Sequence, residues 1–210
     1  MNKWSISISQ TVNNLTVYKV SHPKFSAEIS QFGGQLLSFS TVQNNHWLWL
    51  SNAAKFDHTK AIRGGAPICW PWFGPSDDEK QPQHGFARIG LWQLKHFDAN
   101  EDRVLITLTL DKTSIDYDLA MAVEQTIELS EHVKITLQTV NLTEHTQTIT
   151  QAIHTYFNIG DIHNTNLHGL NGSSDYDQLN QTTFIQDGAL SINQHIDAVY
   201  SPIDNKELRL

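Results

Sequence analysis

Two stretches of the 210-residue chain hold residues that could transfer protons. The first covers residues 63–88 and contains four of the six prolines, and the second covers residues 154–161. His84 in the first stretch and His154 in the second are candidates for general acid–base catalysis, because histidine titrates near neutral pH. The alternative for any one of the eleven histidines is a surface or hydrogen-bonded residue without a catalytic role.

Arginine stands at both ends of the first stretch, as Arg63 and Arg88. Its planar guanidinium donates several hydrogen bonds at once and therefore suits a phosphate or the hydroxyls of a sugar. Gly64 and Gly65 follow Arg63, and glycine lets a ligand come close to the backbone. On spacing alone, an ordinary ion pair between Arg63 and a loop carboxylate is equally consistent with the sequence.

Aromatic residues cluster with proline in the same stretch, at Trp70, Trp72, Phe73 and Phe86. Their rings could stack on the apolar face of a sugar, but aromatic residues dominate protein cores, and for any single one the core is the more common location. The clustering outside any strand pattern favours binding. Trp70, Trp72 and Phe86 are therefore predicted to stack on a sugar.

Signatures of metal and cofactor sites are missing from the sequence. There is no H-E-x-x-H motif, no pair of cysteines and no His-x-His pattern on a strand, so we expect no metal. Glycine-rich nucleotide-binding loops and the G-x-S-x-G nucleophile elbow are missing too, so we expect no cofactor.

The elements that must position these stretches are predicted to be β-strands. Alternation of apolar and polar residues, rich in β-branched side chains, is typical of half-buried strands. It runs through residues 4–9, 15–20, 104–110, 121–129, 133–140 and 146–153. Ser130, Glu131 and His132 predict a tight hairpin, and no stretch shows a sustained helical face. The sequence therefore predicts an all-β antiparallel sandwich that forms a single domain over residues 1–210.

Composition and charge argue against several classes of protein. The 39% of hydrophobic residues includes six Trp, nine Phe and five Tyr, more than a disordered chain carries. A net charge of −8 disfavours nucleic acid as a partner. The single Cys69 cannot form an intramolecular disulfide, and no apolar run approaches the roughly 20 residues that span a bilayer. With no signal-peptide core at the N-terminus, we expect a cytoplasmic protein without a membrane partner.

Three motifs together resemble one protein family. They are Arg63-Gly-Gly-x-Pro-x-Cys-Trp-Pro-Trp-Phe-Gly-Pro75, Gln83-His-Gly-Phe-Ala-Arg88 and His154-Thr-Tyr-Phe-Asn158. Over nearly its whole length the chain is similar to the hexose-6-phosphate mutarotases, the glucose-6-phosphate 1-epimerases of the aldose 1-epimerase superfamily. The resemblance implies a large twisted antiparallel β-sandwich of the galactose mutarotase-like type, in agreement with the alternation described above.

The resemblance also implies a reaction and a set of site residues. The family interconverts the α and β anomers of a hexose 6-phosphate, here expected to be glucose 6-phosphate, by acid–base opening and closure of the ring. His154 would be the general acid, and His84 would hold the ring and its oxygen. The remaining residues implied to bind phosphate and hydroxyl groups are Arg63, Gln83, Arg88 and Asp197.

The sequence departs from the family pattern in the part that should supply the general base. In the family this base is a glutamate on a strand well beyond the position of Asp197. Glu207 is the only glutamate after Glu144, and its surroundings do not resemble the base segment. We therefore expect a C-terminally shortened mutarotase that lacks the final strands, has little activity alone, and is either unstable by itself or self-associates through exposed sheet edges. Two alternatives are a non-catalytic sugar-phosphate-binding protein and, less consistent with the two arginines, a lectin-like module for neutral glycans.

Overall fold

The computed structural model describes residues 4–10, 14–43, 46–76, 78–115, 120–201 and 207–209, which fall into two units, residues 1–158 and 159–210. The strands of the first unit are β1 (Ser5–Gln10), β2 (Thr16–Ser21), β3 (Phe25–Ser30), β4 (Leu36–Thr41), β5 (Ile68–Cys69), β6 (Trp92–Ala99), β7 (Val104–Leu110), β8 (Met121–Leu129), β9 (Val133–Asn141) and β10 (Ala152–Ile153). Those of the second unit are β11 (Asn166–Leu167), β12 (Ser174–Asp177), β13 (Thr182–Ile185), β14 (Leu190–Ser191) and β15 (Ala198–Tyr200). Short 3-10 helices cover Ala87–Ile89, Lys112–Ser114 and Ile162–Asn164. No helix in this described part of the chain is long and apolar enough to cross a membrane.

Two four-stranded antiparallel sheets make up most of the first unit. One has the order β1-β2-β3-β4 and the other the order β6-β7-β8-β9, so consecutive strands within each sheet are neighbours. Leu129 pairs with Val133, and the backbone N–H of Ser130 donates to the carbonyl of His132 at 2.8 Å. This turn is the hairpin that the sequence predicts. The two-residue strands β5 and β10 form a separate antiparallel pair.

The core of the first unit is built from the alternating apolar faces of both sheets. In β8, every second residue from Met121 to Leu129 is buried. Ile29 and Phe39 of one sheet belong to the same buried cluster as Ile106 and Leu108 of the other. Burying a side chain of this size contributes about 1.5–3 kcal/mol relative to leaving it exposed. The predicted antiparallel β-sandwich is therefore confirmed.

One predicted strand, residues 146–153, is wrong over most of its length. Only its last two residues form a strand, β10. Thr150 instead holds the loop opposite it, because its backbone N–H donates to the carbonyl of Pro71 at 3.1 Å and its hydroxyl accepts from the N–H of Phe73 at 2.9 Å. The segment with the alternating pattern is therefore mostly not a strand, and its Thr150 holds a loop of the candidate site in place.

The second unit is built on smaller antiparallel sheets with the orders β13-β12-β15 and β11-β14. Asp175 on β12 is buried, and its carboxylate accepts a hydrogen bond from the hydroxyl of Ser173 at 2.8 Å. The interpretation of residues 1–210 as one single domain stays a prediction.

Gly85 offers a test of how tightly the loop that carries His84 fits against the core. Its φ of +71° is left-handed, and a Cβ added there would lie 2.1 Å from the carbonyl oxygen of Trp70. We expect Gly85→Ala to lower the free energy of unfolding by about 3 kcal/mol or more, because backbone strain and steric overlap add.

Gly74→Ala is the matched control, because Gly74 has a φ of +96° but no atom within 4 Å of an added Cβ. The free energy of unfolding of Gly74→Ala should fall only by the cost of backbone strain at a positive φ, about 1–2 kcal/mol. Urea unfolding followed by tryptophan fluorescence measures both losses. Equal losses in the two variants would contradict the close packing of Gly85 against Trp70.

Candidate active site

The pairing of β5 with β10 brings the two predicted stretches together. It places Ile153 opposite Ile68, and the next residue, His154, donates its backbone N–H to the carbonyl of Pro67 at 2.9 Å. The ring centroids of His84 and His154 lie 6.5 Å apart as a result. The two stretches therefore meet at these histidines.

Phe73 lies beside both histidines. Its ring centroid is 5.1 Å from that of His84 and 6.4 Å from that of His154. The side chain is 42% exposed, so part of the ring is accessible next to both imidazoles. An apolar surface of this kind suits the C–H groups of a sugar ring.

The tautomer of His84 follows from its hydrogen bonds to Gly74. The backbone N–H of Gly74 donates to Nδ1 of His84 at 3.0 Å, and the backbone N–H of His84 donates to the carbonyl of Gly74 at 2.8 Å. An imidazole nitrogen that accepts a hydrogen bond carries no proton, so the proton of the neutral ring is on Nε2. His84 therefore offers an Nε2–H donor.

The surroundings of His84 also keep it neutral. Burial lowers the pKa of His84, and the positive charges of Arg88 and His154 lower it further. Protonation would in addition break the hydrogen bond from Gly74 to Nδ1. At neutral pH this residue is suited to donate a hydrogen bond to an oxygen and not to release a proton.

His154 differs from His84 in its exposure to solvent. Its side chain is exposed, whereas that of His84 is half-buried. Its ring contacts that of Tyr156, with a centroid distance of 5.1 Å. An accessible imidazole that follows a fixed strand is suited to exchange protons with a bound ligand.

Arg63 is joined to this region through two aromatic rings. Its guanidinium carbon lies 5.9 Å from the ring centroid of Trp49, which contacts Tyr156 at 5.8 Å. Tyr156 in turn contacts His154. No carboxylate among the described residues forms an ion pair with Arg63, so this part of the chain does not show the ion-pair alternative.

Arg88 is half-buried and close enough to His84 for its charge to lower the pKa of that histidine. One terminal nitrogen donates to the backbone carbonyl of Gln83 at 2.7 Å. Its Nε is buried and has no hydrogen-bond partner among the described residues. Burial lowers the pKa of Arg88 from its usual high value, but the guanidinium remains charged at neutral pH. Arg88 therefore keeps donor capacity for a ligand.

Gln83 and Asp197 stand apart from these contacts. The side chain of Gln83 is exposed, and Arg88 bonds to the backbone carbonyl of this residue and not to its side chain. Asp197 belongs to the second unit, where its carboxylate accepts from Nε2 of Gln178 at 3.3 Å. Their roles in binding hydroxyl or phosphate groups stay predictions.

The predicted sugar-stacking residues require correction. Trp70 has no exposed surface and donates its indole N–H to the hydroxyl of Thr139 at 3.0 Å, and Phe86 is only 5% exposed. Both belong to the core, so the stacking prediction is wrong for them. Trp72 is partly buried with its ring edge against Phe86. Phe73 is the exposed ring beside the histidines, and its position just before a Gly-Pro turn is the sequence signal for this exposure.

No group of three His, Cys, Asp or Glu side chains that could hold a metal ion occurs in the described ranges. The charged neighbours that shift the pKa of His84 are both basic residues. The arrangement can therefore donate hydrogen bonds, exchange a proton at His154 and attract an anion.

Comparison with known proteins identifies the family of the chain. Residues 16–206 match the family model described as aldose 1-epimerase. The chain belongs to the aldose 1-epimerase family. It is 34% identical over 202 residues to a Salmonella typhimurium protein named as a candidate glucose-6-phosphate 1-epimerase, covering 90% of this chain and 64% of that protein. The chain thus spans less than two thirds of the length of that relative.

Solved structures show the same fold. A crystal structure of a candidate mutarotase from Salmonella typhimurium has a TM-score of 0.84 at 32% identity, over 93% of this chain and 66% of that one. Galactose 1-epimerase from Lactobacillus acidophilus has a TM-score of 0.60 at 15% identity, over 92% of this chain and 64% of that one, a likeness of fold alone. The predicted galactose mutarotase-like sandwich is confirmed.

The electrostatic coupling between Arg88 and His84 can be measured. Because the positive charge of Arg88 lowers the pKa of His84, Arg88→Met should raise that pKa toward the ordinary 6.5, while Lys60→Met, an exposed cation of another loop, should leave it unchanged. Nitrogen-15 NMR titration of the imidazoles gives both the pKa and the tautomer. A neutral His84 protonated on Nδ1 would contradict the hydrogen bond from Gly74.

The same shift predicts how stability depends on pH. The pKa of His84 is lower in the folded chain than in the unfolded chain, so the unfolded chain binds more protons between the two values. The contribution of His84 is therefore complete above about pH 6.5 and is lost as the pH falls through the folded pKa. Urea midpoints measured between pH 7.5 and 5 should decline less in His84→Gln than in the wild type.

Proposed function

We propose that this chain forms the sugar-binding and acid-bearing part of an aldose 1-epimerase that interconverts the anomers of a hexose 6-phosphate, with glucose 6-phosphate as the expected substrate. The observation that carries the proposal is the pair of histidines with different properties, 6.5 Å apart. His84 is a fixed Nε2–H donor, and His154 is accessible for proton exchange. Family membership supports the same reaction class.

The chemistry requires two opposite proton transfers. In the proposed reaction, His154 protonates the ring oxygen while a base removes the proton of the anomeric hydroxyl. The bond between C1 and the ring oxygen breaks, the C1–C2 bond rotates, and closure on the other face returns both protons. His84 donates a hydrogen bond from Nε2 that orients the ring oxygen and stabilises the charge that develops on it.

The phosphate is assigned to the two arginines. Arg63 has no carboxylate partner among the described residues, and Arg88 has a buried Nε without an acceptor there. A chain with a net charge of −8 repels a phosphate at long range, so local positive charge must supply the attraction. Phe73 offers an exposed ring face for the apolar side of the sugar. Gln83 and Asp197 are proposed to bind hydroxyl groups.

The general base is the part of the reaction without an assigned residue. The family resemblance gives this role to a glutamate for which residues 1–210 hold no matching motif. Of the two charged neighbours of His84, Arg88 stays protonated at neutral pH and His154 is already assigned the acid role, so neither supplies this base. A polypeptide without that glutamate should bind hexose 6-phosphate and turn it over slowly, since ring opening needs the anomeric proton removed.

Binding of the phosphate group tests the role of the arginines. Isothermal titration calorimetry should show that glucose 6-phosphate binds more tightly than glucose. Arg63→Gln and Arg88→Gln should each weaken the binding of glucose 6-phosphate by roughly tenfold or more, which is the usual contribution of a hydrogen bond to a charged group. Lys60→Gln, which removes an exposed cation, is the control. Equal affinities for glucose and its phosphate would refute a phosphate site.

Turnover tests the role of His154. The exchange between α and β anomers of glucose 6-phosphate is measured by NMR against the spontaneous rate, with the 210-residue chain and with a version extended by the family's base segment. Where the chain accelerates exchange, His154→Ala should reduce kcat by roughly 10² to 10⁴, the usual contribution of general acid–base catalysis. His145→Ala, an exposed histidine outside both loops, should be neutral. Unchanged turnover in His154→Ala would exclude the acid role, and binding without turnover in both versions would favour a non-catalytic sugar-phosphate-binding protein.

A further inference from the structure

We propose that Gln35 is a positioning residue that holds Arg63 in place for an anionic substrate. The inference rests on the proposed function for its ligand, but its structural part concerns the loop around Arg63 alone. Gln35 stands just before β4, and no sequence motif singles it out. It acts through Arg63 and has no role in the chemistry itself.

The hydrogen bonds of Gln35 bracket Arg63. The side chain of Gln35 is completely buried, and its Nε2 donates to the carbonyl of Ile62 at 3.3 Å and to the carbonyl of Gly64. These carbonyls belong to the residues immediately before and after Arg63. A single amide group therefore fixes the backbone on both sides of the arginine.

The opposite side of the loop is held by backbone contacts. The N–H of Ser51 donates to the carbonyl of Arg63 at 3.1 Å, and the N–H of Gly65 donates to the carbonyl of Trp49 at 2.7 Å. The ring of Trp49 also lies under the guanidinium of Arg63. The loop is thus held between the segment of Trp49 and Ser51 and the buried amide of Gln35.

Only a side chain that is as long as glutamine and ends in an N–H donor can make both hydrogen bonds of Gln35. A glutamate would place carboxylate oxygens against two carbonyl oxygens, a methionine has no donor, and an asparagine is one methylene shorter. Glutamine at this position also destabilises the fold, because its Oε1 is buried with no hydrogen-bond partner among the described residues. An unpaired buried polar atom is destabilising, and such local violations are typical of functional sites.

The link to function is the direction of the guanidinium. A guanidinium binds phosphate well only when its planar set of donors faces the oxygens, so its affinity for a phosphate depends on how its backbone and side chain are held. Arg63 is exposed and has no ion-pair partner among the described residues, so its orientation depends on its backbone and on Trp49. Loss of the Gln35 amide should therefore weaken binding of the phosphate while the fold persists.

The first test measures the loop without a ligand. Amide hydrogen exchange at residues 63–65 should accelerate by roughly tenfold or more in Gln35→Met, because two hydrogen bonds on that loop are lost. Gln125→Met is the matched control: Gln125 is also buried, and its Nε2 donates to the carbonyl of Gly34, next to Gln35, but its side chain makes no hydrogen bond to the Arg63 loop among the described residues. Unchanged exchange in Gln35→Met, or equal acceleration in both variants, would overturn the proposal.

The second test is a double-mutant cycle on glucose 6-phosphate affinity, measured by calorimetry. Gln35→Met should weaken binding about tenfold in the wild-type background and less than about twofold in Arg63→Gln, because Gln35 acts only through Arg63. A residue with a general structural role would weaken binding in both backgrounds, and that result would overturn the proposal. If Gln35→Met does not fold, Gln35→Asn replaces it in both tests with the same expected outcome.

The two proposals fail in different ways. If the wild-type chain does not bind glucose 6-phosphate, the proposed function fails, and the exchange rates at residues 63–65 decide the structural role of Gln35 by themselves. If the wild type binds and the exchange rates rise while the affinity of Gln35→Met is unchanged, the positioning role is wrong and the proposed function stands.

Discussion

The candidate site depends on the pairing of two very short strands. β5 and β10 share only two residue pairs, Ile68 with Ile153 and Cys69 with Ala152, yet they join parts of the chain that are far apart in sequence. Ile68 and Cys69 are buried in the core, which fixes the register of the pair. A slip by one residue would turn each side chain to the opposite face, and His154 would then point away from His84.

The electrostatics of the site oppose those of the chain as a whole. The protein carries a net charge of −8, but the charged groups that act on His84 are Arg88 and His154. The same positive surroundings that keep His84 neutral would attract a phosphate. One arrangement of charges therefore explains both a histidine that acts as a hydrogen-bond donor and the binding of an anion.

Hydrogen bonds from loop residues and buried side chains hold the site together. Thr150 fixes the backbone of Phe73, Gly74 fixes the ring of His84, and Gln35 fixes the residues around Arg63. Each of these contacts joins residues distant in sequence or held in an irregular loop. Regular sheets supply the rigid frame, and these individual hydrogen bonds convert it into a defined geometry at the loops.

The sequence by itself determined the β-class and the main strands of the frame. Alternation predicted β7 and β8 with their observed bounds, because each strand buries one face and the side-chain period is two. It failed at residues 146–151, where Thr150 bonds to a loop, and it did not predict β3, β4 or β6; in β6 a bulge near His96 interrupts the period. Residue types and motifs also predicted His84, His154, Arg63 and Arg88 as site candidates.

Tertiary structure alone decided that Trp70 and Phe86 are buried while Phe73 is exposed, which tautomer His84 adopts, and that Gln35 contacts the Arg63 loop. These features depend on contacts between distant segments of irregular backbone, for which no local period exists.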